Sequence, residues 1–463
     1  MMTERLDILA LAAGGRMLSG DPDTLVRGIF TDTRTPLRGG LFVALRGDNF
    51  DGNRFARDAV QKCGAAAVLL DKAEAADDLP GDAGVIVVQD SRAAYLSLAF
   101  HHRGSLSSAL WFGITGSVGK SSTKEMLAHI LEHAVAWKVH KAKASFNNAV
   151  GLSQTVLGAT PDHQAVILEL GSNHPGEIRQ LAAVARPHIA VITCAAEAHL
   201  EAFGSVANVA REKGAMLSFQ DDQGVAVLNA DDPHLPVWRS FAPGRVLTFG
   251  RSERADVRGK HVHVNAEGRA EFMVRCGDAL ADCRLRVLGG HQATNALAAI
   301  AAAVAAGVRL EDAARAVNTF EGVARRFALT EVQGVTLIDD AYNANPASFT
   351  AALATLKNLR AQRKFLVAGD MLELGSRAPQ YHRELGRLIA DCELTAVVTV
   401  GPLASLAGAA AIKDRPSPLN WVSCSTPQEA AQALKPSLRP GDVVLLKASH
   451  GIHLEKCVEI LSA

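Results

Sequence analysis

The sequence predicts an α/β fold of about three domains, the middle one built around a phosphate-binding loop. Three observations carry this. At roughly 150 residues per domain, 463 residues make about three units, each able to bury a core. Residues 110–131 read as an apolar strand, a glycine turn, a Lys-Ser pair and an amphipathic helix. From residue 327 on, short apolar runs alternate with helical segments, the rhythm of a mostly parallel sheet with covering helices.

Composition bounds the function. Hydrophobic residues make up 48% and charged residues 21%, an ordinary globular balance. There are 48 basic and 48 acidic side chains, without the basic excess of a nucleic-acid binder, and aromatics at 5% are too sparse for base stacking. The seven cysteines are scattered, with no CxxC, so neither a zinc knuckle nor a disulfide framework is expected and a reducing, cytoplasmic setting is. The N-terminus carries acids where a signal peptide carries bases. The longest apolar tract, 296–308, is alanine-rich and too short to span a bilayer, so it reads as a buried helix and no transmembrane segment is expected.

The first domain, 1–108, has strands expected at 39–45, 65–70 and 85–88, and a polar loop at 48–53. Before the first strand lies the turn Thr31, Asp32, Thr33, Arg34, whose hydroxyls and guanidinium suit either a phosphorylated ligand or an exposed turn.

The second domain, 109–325, opens on the phosphate loop. Gly116, Ser117, Val118 and Gly119 form the turn, and Lys120, Ser121 and Ser122 start the helix. Loop N–H groups and the helix N-terminus make an anion cradle, Lys120 can reach the outer phosphates, and the Ser121 hydroxyl can hold Mg2+. The glycines sit at 113, 116 and 119, with Ile114 where the usual spacing places the first. Asn147 and Asn148 enter a helix and suit either a cap or a ligand contact. Strand 165–170 carries Glu169 near its carboxyl end, well placed for Mg2+ beside a phosphate loop. After strand 188–193, His199 is a candidate second metal ligand or a local hydrogen-bonding group. Lys213 lies on a helical segment, where a lysine is ordinarily a solvated charge. Strand 224–228 ends in a polar turn, 229–233, that could face a nucleoside. Residues 245–288 alternate and suggest an antiparallel patch, and 320–326 reads as a linker.

The third domain, 326–463, has strands expected at 335–338, 364–368, 395–400 and 443–446. Three polar loops follow strand ends, where such sheets bind ligands. They are 339–346, with Asp340, Tyr342, Asn343 and Asn345; 369–375, reading Gly-Asp-Met-Leu-Glu-Leu-Gly; and 447–451. There is no GxGxxG, so a dinucleotide is not indicated.

Loops 339–346 and 369–375, the stretch 169–178 (Glu-Leu-Gly-Ser-Asn-His-Pro-Gly-Glu-Ile) and the glycine spacing of the phosphate loop together resemble the Mur ligases, over nearly the whole chain. The first two loops resemble the member that adds D-alanyl-D-alanine to UDP-N-acetylmuramoyl-tripeptide. A glutamate-adding or folate-glutamylating sister ligase is the alternative, and a nucleotide-gated binding protein is the rival outside enzymes. The resemblance implies a uridine-nucleotide domain, a central ATP domain and a Rossmann-like third domain that brings the amine. It implies ATP and Mg2+, with Lys120 and Ser121 at the phosphates and Glu169 and His199 on the metals. Lys213 matches a lysine that relatives carry as a carbamate, a reaction of the neutral amine that burial favours. Asn295, Arg326 and Asp340 match ATP-binding positions, and Thr31 to Arg34 the uridine-nucleotide turn. A monomer suffices for this chemistry. The chain departs from the family pattern at Ser145, Ser153, Arg325, Ala448 and His450.

Overall fold

The computed structural model describes residues 2–47, 50–413 and 419–462, so Asp48 and Asn49 of the polar loop read at 48–53 lie outside the described residues. The fold is α/β, in two compact units. One holds Met1–Gly113, Trp137–Ser172 and Glu177–His188; the other holds Ile114–Ala136, Asn173–Gly176 and Ile189–Ala463.

In the first unit a five-stranded sheet runs in the order Arg16–Ser19, Gly84–Val87, Ala67–Leu70, Leu41–Val43, Ile29–Phe30. Its pairs are parallel except at the Arg16–Ser19 edge. The central strands read as unbroken apolar runs because both faces are covered. Leu41, Val43, Leu69 and Ile86 face a core with Leu6, Leu9 and Leu98, whereas Phe42, Val68, Leu70 and Val85 face another with Phe30, Ala56 and Ala59. Strand Ala165–Glu169, parallel to Val139–Lys141, also belongs to this unit.

In the second unit Ile189–Ile192, Val225–Asn229 and Arg245–Gly250 are parallel neighbours. The antiparallel patch expected from residue 245 begins only at Val257–Val264, followed by Arg269–Cys276 and Ala279–Leu288. Arg245–Gly250 is parallel because the helix Leu235–Arg239 intervenes and carries the chain back across the sheet. The alanine-rich tract folds as the helix Gln292–Ala305, buried almost throughout, and packs on the phosphate-loop helix Lys120–Ala134.

The last sheet runs Ala328–Val332, Val335–Asp340, Asp442–Lys447, Arg363–Gly369, Ala396–Val400, Asn420–Cys424, parallel except for the first pair. Alternate residues feed two cores: Ile338 and Leu366 on one face, Leu337, Phe365 and Val367 on the other. Among the described residues no helix is long and apolar enough to cross a membrane.

Candidate active site

Strand Leu110–Thr115 is buried, and the chain leaves it through two glycines with positive φ, Gly116 at 148° and Gly119 at 84°. A side chain at Gly116 would collide with the Thr193 hydroxyl, and one at Gly119 with the Asn295 amide oxygen. Both glycines are therefore required by conformation and by space. The loop is then tied down from the next strand end. Ser117 N–H donates to Cys194 O at 2.9 Å. Thr193 Oγ1 donates to Val118 O at 2.6 Å. Ala196 N–H donates to Ser117 Oγ at 2.9 Å.

Helix Lys120–Ala134 starts directly after, with no acid in its first turn to oppose an anion. Lys120 Nζ donates to Gly116 O at 2.6 Å, so the ammonium lies over its own loop. Ser121 and Ser122 are buried at the same helix end. Asn295, buried on Gln292–Ala305, donates through Nδ2 to Gln292 Oε1 at 2.9 Å. The structure thus brings together the candidates Gly116 to Ser122 and Asn295.

Thr193 was missed in the sequence; its only signal is a hydroxyl at the carboxyl end of a parallel strand. The polar turn 229–233, expected to face a nucleoside, serves the backbone around that strand end. Asn229 Nδ2 donates to Thr193 O at 2.8 Å, and Asp232 Oδ2 accepts from Ala195 N–H at 2.8 Å. Asp231 accepts from the N–H groups of Arg251 and Ser252.

Lys213, on the helix Val206–Gly214, is 2% exposed, which corrects the ordinary expectation of a solvated lysine. It lies one turn after Val209, on the face that the helix turns to the core. His199 sits at a φ of 53° immediately before the short helix Leu200–Phe203, and its Nδ1 is 2.6 Å from Glu373 Oε2. The His199 contact holds the Glu373 carboxyl below the usual range. Glu373 belongs to the 369–375 loop but was not singled out by sequence reasoning.

In the linker and the loops beyond it, Asp340 pairs with Lys447 Nζ at 2.5 Å, both buried. Burial pushes the Asp340 carboxyl up, and Lys447 opposes this. The Arg326 guanidinium lies 4.2 Å over the Tyr342 ring, and His450 stacks on Tyr342 at 5.7 Å. Asn343 Oδ1 accepts from Ala344 N–H at 2.8 Å. Asn345 caps the helix Pro346–Asn358 through a reciprocal box with Ser348.

In the first unit Glu169 is 1% exposed and accepts from Asn147 Nδ2 at 3.1 Å. Asn148 caps the helix Ala149–Gly158, its Oδ1 accepting from Gly151 N–H at 2.9 Å. In the turn Thr31 to Arg34, Arg34 grips Asp32 through Nη2 at 2.7 Å, and this lowers the Asp32 carboxyl to about 2. Thr31 and Thr33 are half-buried beside that pair.

Residues 114–303 match the family model of the Mur ligase middle domain, and residues 325–450 that of the Mur ligase glutamate ligase domain. A UDP-N-acetylmuramoyl-tripeptide–D-alanyl-D-alanine ligase of Bacillus subtilis is 33% identical over 444 residues, covering 95% of this chain and 93% of that protein. The ligase of the same name from Escherichia coli is 35% identical over 382 residues, 82% of each. Among solved structures, MurF from Acinetobacter baumannii superposes with a TM-score of 0.89 at 29% identity, covering 100% of this chain and 99% of that one. MurF from Thermotoga maritima in complex with ADP gives 0.81 at 27% identity, covering 94% and 97%.

Proposed function

Since the chain belongs to the Mur ligase family, we propose that it joins D-alanyl-D-alanine to UDP-N-acetylmuramoyl-tripeptide, coupled to ATP cleavage, in building the cell-wall peptide. The observation that carries this reading is the near full-length match to ligases of that specificity, 95% of this chain against 93% of the relative. The phosphate loop supplies the means. A tripeptide carboxylate takes the γ-phosphoryl group as an acyl phosphate and ADP leaves. The D-alanyl-D-alanine amine then attacks the carbonyl, and phosphate departs. No covalent nucleophile is required of the protein. Its work is to hold reactants in line, stabilise developing charge with Lys120, and keep water from the acyl phosphate.

The ATP phosphates are assigned to Gly116, Ser117, Val118, Gly119, Lys120, Ser121 and Ser122. Asn295, Arg326 and Asp340 are assigned to the rest of the nucleotide. Thr31, Asp32, Thr33 and Arg34 are assigned to the uridine nucleotide; Asn147, Asn148, Tyr342, Asn343 and Asn345 to the remaining substrate. Among the described residues no group of three or more His, Cys, Asp or Glu side chains could hold a metal by itself. Mg2+ keeps several waters and takes one or two protein oxygens beside substrate phosphates. The buried Ser121 hydroxyl and Glu169 carboxylate are such donors, and with His199 they would hold it. Bound there, the ion would neutralise charge on the transferring phosphoryl group. Lys213, buried, would add an anion as a carbamate, formed from its amine and CO2 with loss of a proton. Domain limits of 1–108, 109–325 and 326–463, a cytoplasmic monomer, and seven reduced cysteines, all free thiols, complete the reading.

The test is phosphate release by the purified protein with ATP, UDP-muramoyl-tripeptide and a panel of amines. Release that depends on D-alanyl-D-alanine is expected. Release that depends on glutamate would assign the chain to a sister ligase.

A further inference from the structure

We propose that Lys447 is a positioning residue for Asp340: its buried ammonium holds one carboxylate oxygen and the Asn343 carbonyl, and so presents the other carboxylate oxygen to the nucleotide as a charged acceptor. This rests on the ligase reading only in assigning Asp340 to the nucleotide.

The sheet pairs the two residues before their side chains meet. They are register partners on the parallel neighbours Val335–Asp340 and Asp442–Lys447, each the last residue of its strand. Nζ donates to Asp340 Oδ2 at 2.5 Å and to Asn343 O at 3.0 Å, and it stands 5.6 Å over the Phe349 ring. Lys447 is 2% exposed and Asp340 9%. Taking both charges out of water is costly, and an apolar pair would pack at the same positions without that cost. Packing alone therefore does not account for the pair. A carboxylate that must stay charged at the carboxyl end of a parallel strand, where such sheets bind ligands, does.

Lys447 is presented from a fixed base. Its strand is flanked on the other side by Arg363–Gly369, with Ala368 as register partner. Two residues on, Ser449 N–H donates to Asp370 O at 3.1 Å, and Ser449 Oγ accepts from Leu372 N–H at 2.9 Å and donates to Ala344 O at 3.3 Å. The charges around Asp340 act unequally. Burial pushes its carboxyl up; Lys447 opposes this most, Arg326 less, and Asp339 adds to the rise. His291 also feels the ammonium: burial first and Lys447 second lower it to about 4, so it stays neutral near pH 7. Lys447 is thus the main charge that keeps Asp340 ionised.

The experiment uses the full-length protein. ADP affinity with Mg2+ is measured by calorimetric titration between about pH 7 and 9, with thermal melts alongside, for the parent, Lys447→Met, Lys447→Arg, Asp340→Asn and the double variant Lys447→Met/Asp340→Asn. We expect Lys447→Met to bind ADP about 10–100-fold more weakly than the parent at pH 7, the loss of a hydrogen bond to a charged group, and to recover as pH rises and the carboxyl ionises. Lys447→Arg, which keeps the charge, should bind nearer the parent. In the Asp340→Asn background, adding Lys447→Met should change affinity by less than about twofold, because the lysine acts through the carboxylate. A folded Lys447→Met with parental ADP affinity overturns the proposal, as does a full-sized further loss in the Asp340→Asn background. That second comparison holds even where Lys447→Met alone does not fold, since the double variant leaves no unpaired charge buried. Parental ADP affinity in Asp340→Asn would take Asp340 out of the nucleotide site and end the proposal with it. Failure of the ligase reading shows separately, as phosphate release that ignores D-alanyl-D-alanine.

Discussion

Lys120 donates across its own loop to Gly116 O at 2.6 Å, a bond worth about 1 kcal/mol. Removing a cation from developing phosphoryl charge costs far more, on the order of 10²–10³ in turnover. Lys120→Ala should therefore lose at least about 100-fold in phosphate release while melting within about 4 °C of the parent. Near-normal turnover would remove the loop from the chemistry. Lys213 tests a different idea, because its side chain is buried where an extra anion is proposed. Lys213→Ala should be inactive and partly rescued by millimolar formate or acetate; a folded variant that no short carboxylate rescues argues against the carbamate. His382 sets a pH limit. It is fully buried, accepts from Met371 N–H and donates to Ala378 O, and burial lowers its pKa from 6.5. The unfolded chain takes up a proton below about 6.5 that the folded one refuses, so this histidine's share of stability is complete above that pH and lost as pH falls. Denaturant titrations at pH 7.5 and 5.5 should show the parent losing more stability than His382→Gln. The two slopes should differ by up to about 1.4 kcal/mol per pH unit, and equal slopes would refute the assignment.

Asn345 raises the question at the level of a helix. Its capping box starts Pro346–Asn358, which drives Phe349, Leu353 and Leu356 into the core. It was also a candidate substrate contact. If the cap is its whole role, Asn345→Ala should cost about 1–2 kcal/mol and leave the KM for D-alanyl-D-alanine within about twofold; a large KM increase at unchanged stability would restore the contact. Elements buried on both faces were the ones legible in the sequence. Strands such as Ala67–Leu70 and Asp442–Lys447 are covered by helices, so their apolar runs are unbroken. The edges were not legible. Ala328–Val332 and Asn420–Cys424 are mostly exposed or half-exposed and carry no apolar run to find. Within the site, the phosphate loop could be read because a short local motif forms it. Thr193 and Glu373 reach their partners through pairings that cross long stretches of chain. Nothing local marks a threonine that will brace Val118, or a glutamate that will meet His199.

At the scale of the molecule, the units are interleaved along the chain. The backbone passes between them at 113/114, 136/137, 172/173, 176/177 and 188/189, and the first passage cuts the strand that leads into the phosphate loop. Unfolding the first unit alone would leave that strand half formed, and its buried N–H and C=O groups would lose their partners. A single cooperative transition is therefore expected over these segments rather than separate melting of residues 1–113. A nucleotide that binds only the folded loop stabilises whatever melts with it, by about 2.7 kcal/mol at 100 times its dissociation constant. Calorimetry with excess ADP and Mg2+ should then raise that single transition as a whole. Lys120→Ala, which lacks the proposed phosphate contact, should show a much smaller rise at the same concentration. If ADP moves only part of the endotherm, the units unfold independently; if it moves none, the anion cradle at Gly116 to Ser121 does not hold the nucleotide.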